Sequence, residues 1–233
     1  TLVLSVVATI VLQEMAARLG IVSQKSLSEV IKNEIKNPLT KNIIITLILL
    51  AIVIGNAAYE AGNISGGVLG LESVFGEKSL NILGLNINFY GILLGLIAFI
   101  VLFIGNYKVL EKSLIFLVII MSVSFVITAV ITKPDFLKLI EGLFIPKFPK
   151  GSILIIIGLI GTTVVPYNLF LHASLVKEKW NKVSDLKFAR NDTIIAIVIG
   201  GIVSMCIVIS SASLEIENIN NAADLAKGIE PLY

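Results

Sequence analysis

The chain has 233 residues, a net charge of +2, 56% hydrophobic residues, 15% charged residues and a mean hydropathy of +0.97. An ordinary soluble chain carries about 25% charged residues, so the composition excludes that class and points to the bilayer. The small net charge, with no basic patch interleaved with aromatics, excludes nucleic-acid binding, and one cysteine, Cys206, excludes an internal disulfide or a thiolate metal cluster.

Six apolar stretches, roughly 1–17, 42–71, 88–106, 113–132, 151–176 and 193–213, approach or exceed the ~20 residues that span a bilayer core. They predict one transmembrane domain over 1–233, an all-α polytopic protein of the cell membrane. The opening run has no basic n-region and no small-residue cleavage site, so it is not a signal peptide. The chain starts at Thr1, and Asp224–Tyr233 reads as a helix interrupted part-way. Both are expected of a piece of a longer protein.

In the first span, Gln13-Glu14 is expected near the membrane surface in an interfacial or capping role. Ser26-x-x-Glu29 reads as a capping box for a short amphipathic helix, and Asn37-Pro38 and Lys133-Pro134-Asp135 read as turns. The 42–71 span carries a polar strip, with Asn56, Glu60, Asn63 and Gly67 on one helical face. A carboxylate at that depth is costly and commonly lines a bundle interior or a watery path. Glu60 therefore reads either as part of a proton or cation relay, or as a protonated acid hydrogen-bonded between helices. In the second case Gly62, Gly66, Gly67 and Gly70 would allow close packing. Tyr90 and Tyr107 read as interfacial anchors.

The connectors 18–41, 107–112 and 177–190 hold twelve Lys and Arg, against six in the connectors on the other side. The positive-inside rule puts the twelve in the cytoplasm. The N-terminus of this piece then lies outside. If the intact protein starts inside, an odd number of spans precedes it.

The segment Ser152–Val176 is apolar enough to cross the bilayer yet holds Thr162-Thr163-Val164-Val165-Pro166-Tyr167-Asn168. Proline donates no N–H and its ring clashes with the preceding turn, so Pro166 is expected to interrupt the helix. Irregular backbone at membrane depth survives only against protein or a water-lined cavity. Such interruptions point to the substrate site of a secondary transporter. The interruption frees the carbonyls of Thr162 and Thr163, hard oxygen ligands suited to Mg²⁺, Ca²⁺, Mn²⁺ or alkali ions. A plain proline kink is the other reading. His172, the sole histidine, reads as hydrogen-bonded structure or as a titrating group. No Ser–His–Asp, HExxH or paired-carboxylate arrangement speaks for an enzyme.

Gly161-Thr162-Thr163-Val164-Val165-Pro166-Tyr167-Asn168-Leu169-Phe170-Leu171-His172-Ala173-Ser174-Leu175-Val176 resembles the sixth transmembrane helix of the NRAMP divalent-metal transporters. That helix reads Gly-Ala-Thr-Val-Met-Pro-His-Asn-Leu-Tyr-Leu-His-Ser-Ala-Leu-Val. Leu12-Gln13 with Ala17-Arg18-Leu19-Gly20 is similar to the end of the family's second helix, and the 42–71 span to its third. The resemblance covers essentially the whole chain, as a stretch from the second helix to just past the seventh. It implies a LeuT-like fold of two inverted repeats, with metal bound at mid-membrane between the unwound parts of the first and sixth helices. The Asp-Pro-Gly-Asn motif of the family's first helix lies outside this sequence, in line with a missing upstream span. This piece would then hold half a site.

The departures carry as much meaning. By resemblance, Thr162 offers the carbonyl that binds metal, and Val165 stands where the family has its metal-binding methionine. A thioether favours softer transition metals over Mg²⁺ and Ca²⁺, so its loss leaves a hard oxygen site. Tyr167 and Ala57 replace a histidine and an aspartate of the family's proton pathway, and Glu60 remains. These changes resemble the NRAMP-related magnesium transporters. The expected function is alternating-access transport of Mg²⁺ and/or Mn²⁺ with weak or no proton coupling, the divalent cation being substrate and no cofactor being required. Thr162, Val165 and Pro166 would form the site, with Thr163, Tyr167, Asn168, Glu60, Asn56 and His172 around it or along the pathway. The alternatives are a proton-coupled Mn²⁺/Fe²⁺ transporter, a LeuT-like organic-substrate carrier, and a non-transporting membrane scaffold or sensor.

Overall fold

The computed structural model describes residues 1–82, 85–105, 107–145, 149–180 and 182–212. Ser213, the stretch Asp224–Tyr233, Lys147, Asn106 and the Tyr107 side chain, all part of the sequence reading, lie outside the described residues. The helices are α1 (Leu2–Ser23), α2 (Leu27–Glu34), α3 (Pro38–Phe75), α4 (Phe89–Ile104), α5 (Tyr107–Ile131), α6 (Phe136–Phe144), α7 (Ile153–Thr163), α8 (Pro166–Lys179) and α9 (Leu186–Ala212). The fold is that of an all-α polytopic membrane protein. Five helical stretches, Leu2–Ser23, Pro38–Phe75, Leu110–Ile131, Ile153–Lys179 and Val183–Ala212, are long and apolar enough to cross a bilayer. The shorter α4 has 16 residues, about 24 Å at 1.5 Å per residue.

Between α3 and α4 lies a hairpin that the sequence reading did not anticipate. Strands β1 (Ser79–Ile82) and β2 (Leu85–Asn88) pair antiparallel, Ser79 opposite Asn88 and Leu80 opposite Ile87. The Phe89 amide, bonded to the Lys78 carbonyl at 3.0 Å, continues the ladder into α4.

The chain divides into two compact units, Thr1–Asn56 with Asp135–Met205, and Ala57–Pro134 with the chain from Cys206 onward. In the first unit, α1 runs against α7 and α8. Small residues allow the approach. A Cβ on Gly20 would collide with the Ala173 carbonyl oxygen and lie 3.2 Å from its carbon. Around this crossing Ala17, Ile21, Val176 and Ala189 form a buried cluster, with Trp180 and Leu186 packed on it. Helix α2 starts with the expected capping box: the Ser26 amide donates to Glu29 Oε2 at 2.6 Å, and the Glu29 amide donates to Ser26 Oγ at 3.3 Å. Glu29 also pairs with Lys177 of α8 at 3.8 Å. Asn37 caps α3 by accepting from the Leu39 and Thr40 amides, with Pro38 in the first turn, where no N–H is needed.

In the second unit Asn88 makes the joint. Its Oδ1 accepts from the Tyr90 and Gly91 amides at the start of α4, and its Nδ2 donates to Glu72 Oε1 at 2.6 Å. Of the four glycines proposed to allow packing of α3, only Gly67 meets a neighbour within 4 Å of a built Cβ, the Leu94 side chain. Gly62, Gly66 and Gly70 face open space among the described residues. Tyr90 also departs from expectation. It is buried rather than an interfacial anchor, stacked edge-on against Phe89 at 5.5 Å.

Candidate functional site

Helix α7 ends at Thr163 and α8 begins at Pro166, with Val164 and Val165 as the non-helical link. Local chemistry sets the stop. The helical partner of the Thr162 carbonyl would be the N–H of residue 166, and proline has none. The residue before proline is pushed out of the α region, and Val165 accordingly sits at φ −88°, ψ 126°. Pro166 then occupies the first turn of α8, where its missing donor costs nothing. The last α7-type bond runs from the Val164 amide to the Ile160 carbonyl at 2.8 Å, and the Asn168 amide turns back to the Val165 carbonyl at 3.2 Å.

Both threonine hydroxyls are spent within their own helix. Thr162 Oγ1 donates to the Leu159 carbonyl at 3.1 Å and Thr163 Oγ1 donates to the same oxygen at 2.7 Å. Their oxygens keep lone pairs, while the Thr162 carbonyl lacks its amide partner. Thr162 is exposed, Thr163 half-buried, and Val165 buried at 7% exposure. Val165 therefore fills protein interior with a side chain that offers no donor atom. Tyr167 and Asn168 are half-buried on the first turn of α8. The carbonyl end of α7 carries the negative pole of its dipole and the amide end of α8 the positive pole. A cation is thus favoured on the α7 side of the link.

On α1, Thr9 reaches this region, with Ser5 one turn before it, and both escaped the sequence reading. Thr9 is buried, donates to the Ser5 carbonyl at 2.8 Å, and lies 3.4 Å from the Thr163 carbonyl. Ser5, also buried, donates to the Thr1 carbonyl at 3.2 Å. Their i, i+4 spacing in an apolar helix was the available signal.

His172, on α8, sits 2.9 Å from Thr193 Oγ1 of α9 through Nε2. The single Thr193 hydroxyl proton goes to the Ala189 carbonyl at 2.8 Å. With that proton on the Ala189 carbonyl, both contacts are satisfied when His172 Nε2 is the donor. Asn56 and Glu60 lie on α3, Asn56 half-buried and Glu60 exposed. Glu60 belongs to the second unit and has no hydrogen-bond partner among the described residues. Also among the described residues, no three His, Cys, Asp or Glu side chains gather as a metal-binding group. Among the described residues, a cation held at the link would rest on neutral oxygens.

Five helical stretches of membrane-spanning length, one of them interrupted near its middle among the described residues, define a class, multi-pass membrane proteins. The family model "Natural resistance-associated macrophage protein-like" matches residues 1–233, and the chain belongs to that family. It is therefore an integral membrane protein. It is 26% identical over 221 residues to the divalent metal cation transporter MntH of Bacillus subtilis, covering 91% of this chain and 49% of that protein. To the MntH of Caldanaerobacter subterraneus subsp. tengcongensis it is 27% identical over 238 residues, 97% of this chain and 53% of the relative. To natural resistance-associated macrophage protein 1 of Bison bison it is 32% identical over 173 residues, 72% and 29% of the two chains. The chain spans about half the length of the bacterial relatives and less than a third of the mammalian one.

Proposed function

We propose that the protein containing this chain is a divalent metal cation transporter working by alternating access, with Mg²⁺ and/or Mn²⁺ as substrate and weak or no proton coupling. The observation that carries the reading is the interruption between Thr163 and Pro166, where the Thr162 carbonyl loses its helical partner because residue 166 is proline. Family membership and the similarity to the divalent metal cation transporters MntH support the divalent cation. Thr162 would be the carbonyl ligand, Pro166 would keep the helix broken, and Val165 would shape the site without binding.

The choice of a hard ion follows from the donor set. Neutral oxygens suit Mg²⁺ and Mn²⁺, and Mg²⁺ keeps several of its waters, so few protein ligands suffice. Weak coupling is the reading because Tyr167 and Ala57 stand, by resemblance, where the family has a histidine and an aspartate of its proton pathway. Glu60 favours the second reading, a proton-coupled Mn²⁺/Fe²⁺ transporter, because a carboxylate in a membrane helix with no hydrogen-bond partner among the described residues suits a relay.

Uptake by the full-length protein in liposomes, with internal pH recorded, tests the reading. Mg²⁺ and Mn²⁺ uptake without acidification is the expected result. Mn²⁺ uptake accompanied by proton entry, with no Mg²⁺ flux, would return the protein to the coupled class.

A further inference from the structure

In the first unit, α1 and the start of α9 enclose an open cleft of about 390 Å³, lined by Glu14, Arg18, Leu186, Lys187 and Arg190. Its charge is unbalanced. Arg18 Nη2 contacts both Glu14 carboxylate oxygens at 2.7 Å, which settles that pair. Lys187 and Arg190, three residues apart on one face of α9, have no carboxylate within 4.0 Å among the described residues. Neighbouring cations do have one: Lys177 meets Glu29 at 3.8 Å and Lys179 meets Asp192 at 3.2 Å. Two cations are therefore left over on the same wall of one cleft.

The rest of the lining narrows the ligand. Leu186 is half-buried and packs on the cluster of Ala17, Ile21, Val176 and Ala189, which gives the cleft an apolar floor beside its cations. The cleft also lies at the first turn of α9, where the helix dipole favours an anion. By the distribution of Lys and Arg, this end of the helices faces the cytoplasm.

We propose that this cleft binds a phosphate group, carried by the headgroup of an anionic phospholipid in the cytoplasmic leaflet. The guanidinium of Arg190 suits paired contacts to phosphate oxygens, and the Lys187 ammonium adds a point charge. Basic pockets between membrane helices at this surface are where acidic headgroups are held. Leu186 would lie against the glycerol end of the lipid, a contact that a free phosphate ion does not make.

Native mass spectrometry of the full-length protein, loaded with phosphatidylglycerol or phosphatidylcholine, tests the proposal. The native chain is expected to retain phosphatidylglycerol over phosphatidylcholine, and the Lys187→Gln/Arg190→Gln variant to retain one phosphatidylglycerol fewer. Lys187→Arg should keep the lipid, which separates charge from shape. Equal retention by the native chain and the double variant would overturn the proposal. A second arm adds inorganic phosphate. Displacement of the retained lipid supports phosphate recognition. Phosphate bound at the cleft with phosphatidylglycerol excluded would overturn the lipid as its source.

Discussion

Replacing Gly20 by Ala tests the crossing on which the first unit is built. A Cβ at Gly20 would run into the Ala173 carbonyl oxygen, with the carbonyl carbon at 3.2 Å and Ala173 Cα at 3.4 Å. These are backbone atoms, so no side-chain rotation relieves the clash and α1 must move away from α8. Such overpacking costs about 1–3 kcal/mol. Ala in place of Gly in a helix returns about 0.5–1 kcal/mol through propensity, leaving a net loss of roughly 0–2.5 kcal/mol. At about 2–4 °C per kcal/mol for a chain of this size, the unfolding midpoint should fall by up to ~10 °C. Thermal unfolding of the full-length protein in detergent would measure it, with Trp180 fluorescence reporting the crossing locally, since Trp180 packs on the Ala17, Ile21 and Val176 cluster. Gly158→Ala is the control, because nothing lies within 4 Å of a Cβ there. If Gly20→Ala is as stable as Gly158→Ala, the close crossing is wrong.

Thr193→Val keeps the shape but removes the acceptor of His172 Nε2–H, and an unpaired polar group of this kind costs about 1–3 kcal/mol. Thr193→Ser should recover most of that loss in the same unfolding assay. Asn88→Ala removes the cap of α4 and the partner of Glu72 together. Lost caps cost ~1 kcal/mol, and hydrogen exchange should rise first in residues 89–92. Glu29 is held below its ordinary value of 4.5, chiefly by the Ser26 amide, then by the Ser26 hydroxyl and by Lys177. Because the folded state lowers this pKa, the contribution is present above about pH 4.5 and disappears as pH falls through the folded value. Exchange in α2, corrected for the intrinsic rate, should rise on acidification below pH 4.5, and Glu29→Gln should abolish that step.

What could be read from the sequence was local in origin. Pro166 lacks a donor whatever surrounds it, so the stop at Thr163 is written into five or six residues. Ser26 and Glu29 close their box within one helical turn. The features that escaped depend on partners far along the chain. Thr9 meets the Thr163 carbonyl across 154 residues, and the i, i+4 pair Ser5 and Thr9 marks a polar face of α1 without saying which distant carbonyl it meets. The hairpin escaped because its strands have four residues each, and the second runs straight into an apolar helix. Gly67 could not be told from Gly62, Gly66 and Gly70, since only the position of Leu94 singles it out. The candidate site divides in the same way. The broken backbone was legible, but the burial of Val165 and the spending of both threonine hydroxyls on Leu159 required the fold.

The central claim is that the α7–α8 link is a hard oxygen site in which Val165 contributes shape and no ligand. Val165→Met in the full-length protein, assayed in liposomes for Mn²⁺ uptake in competition with Mg²⁺ and Cd²⁺, tests it most directly. The variant is expected to be inhibited more strongly by Cd²⁺ and less by Mg²⁺ than the native protein, because a thioether favours the softer ion. Identical competition profiles for the two proteins would place the ion elsewhere and contradict the account.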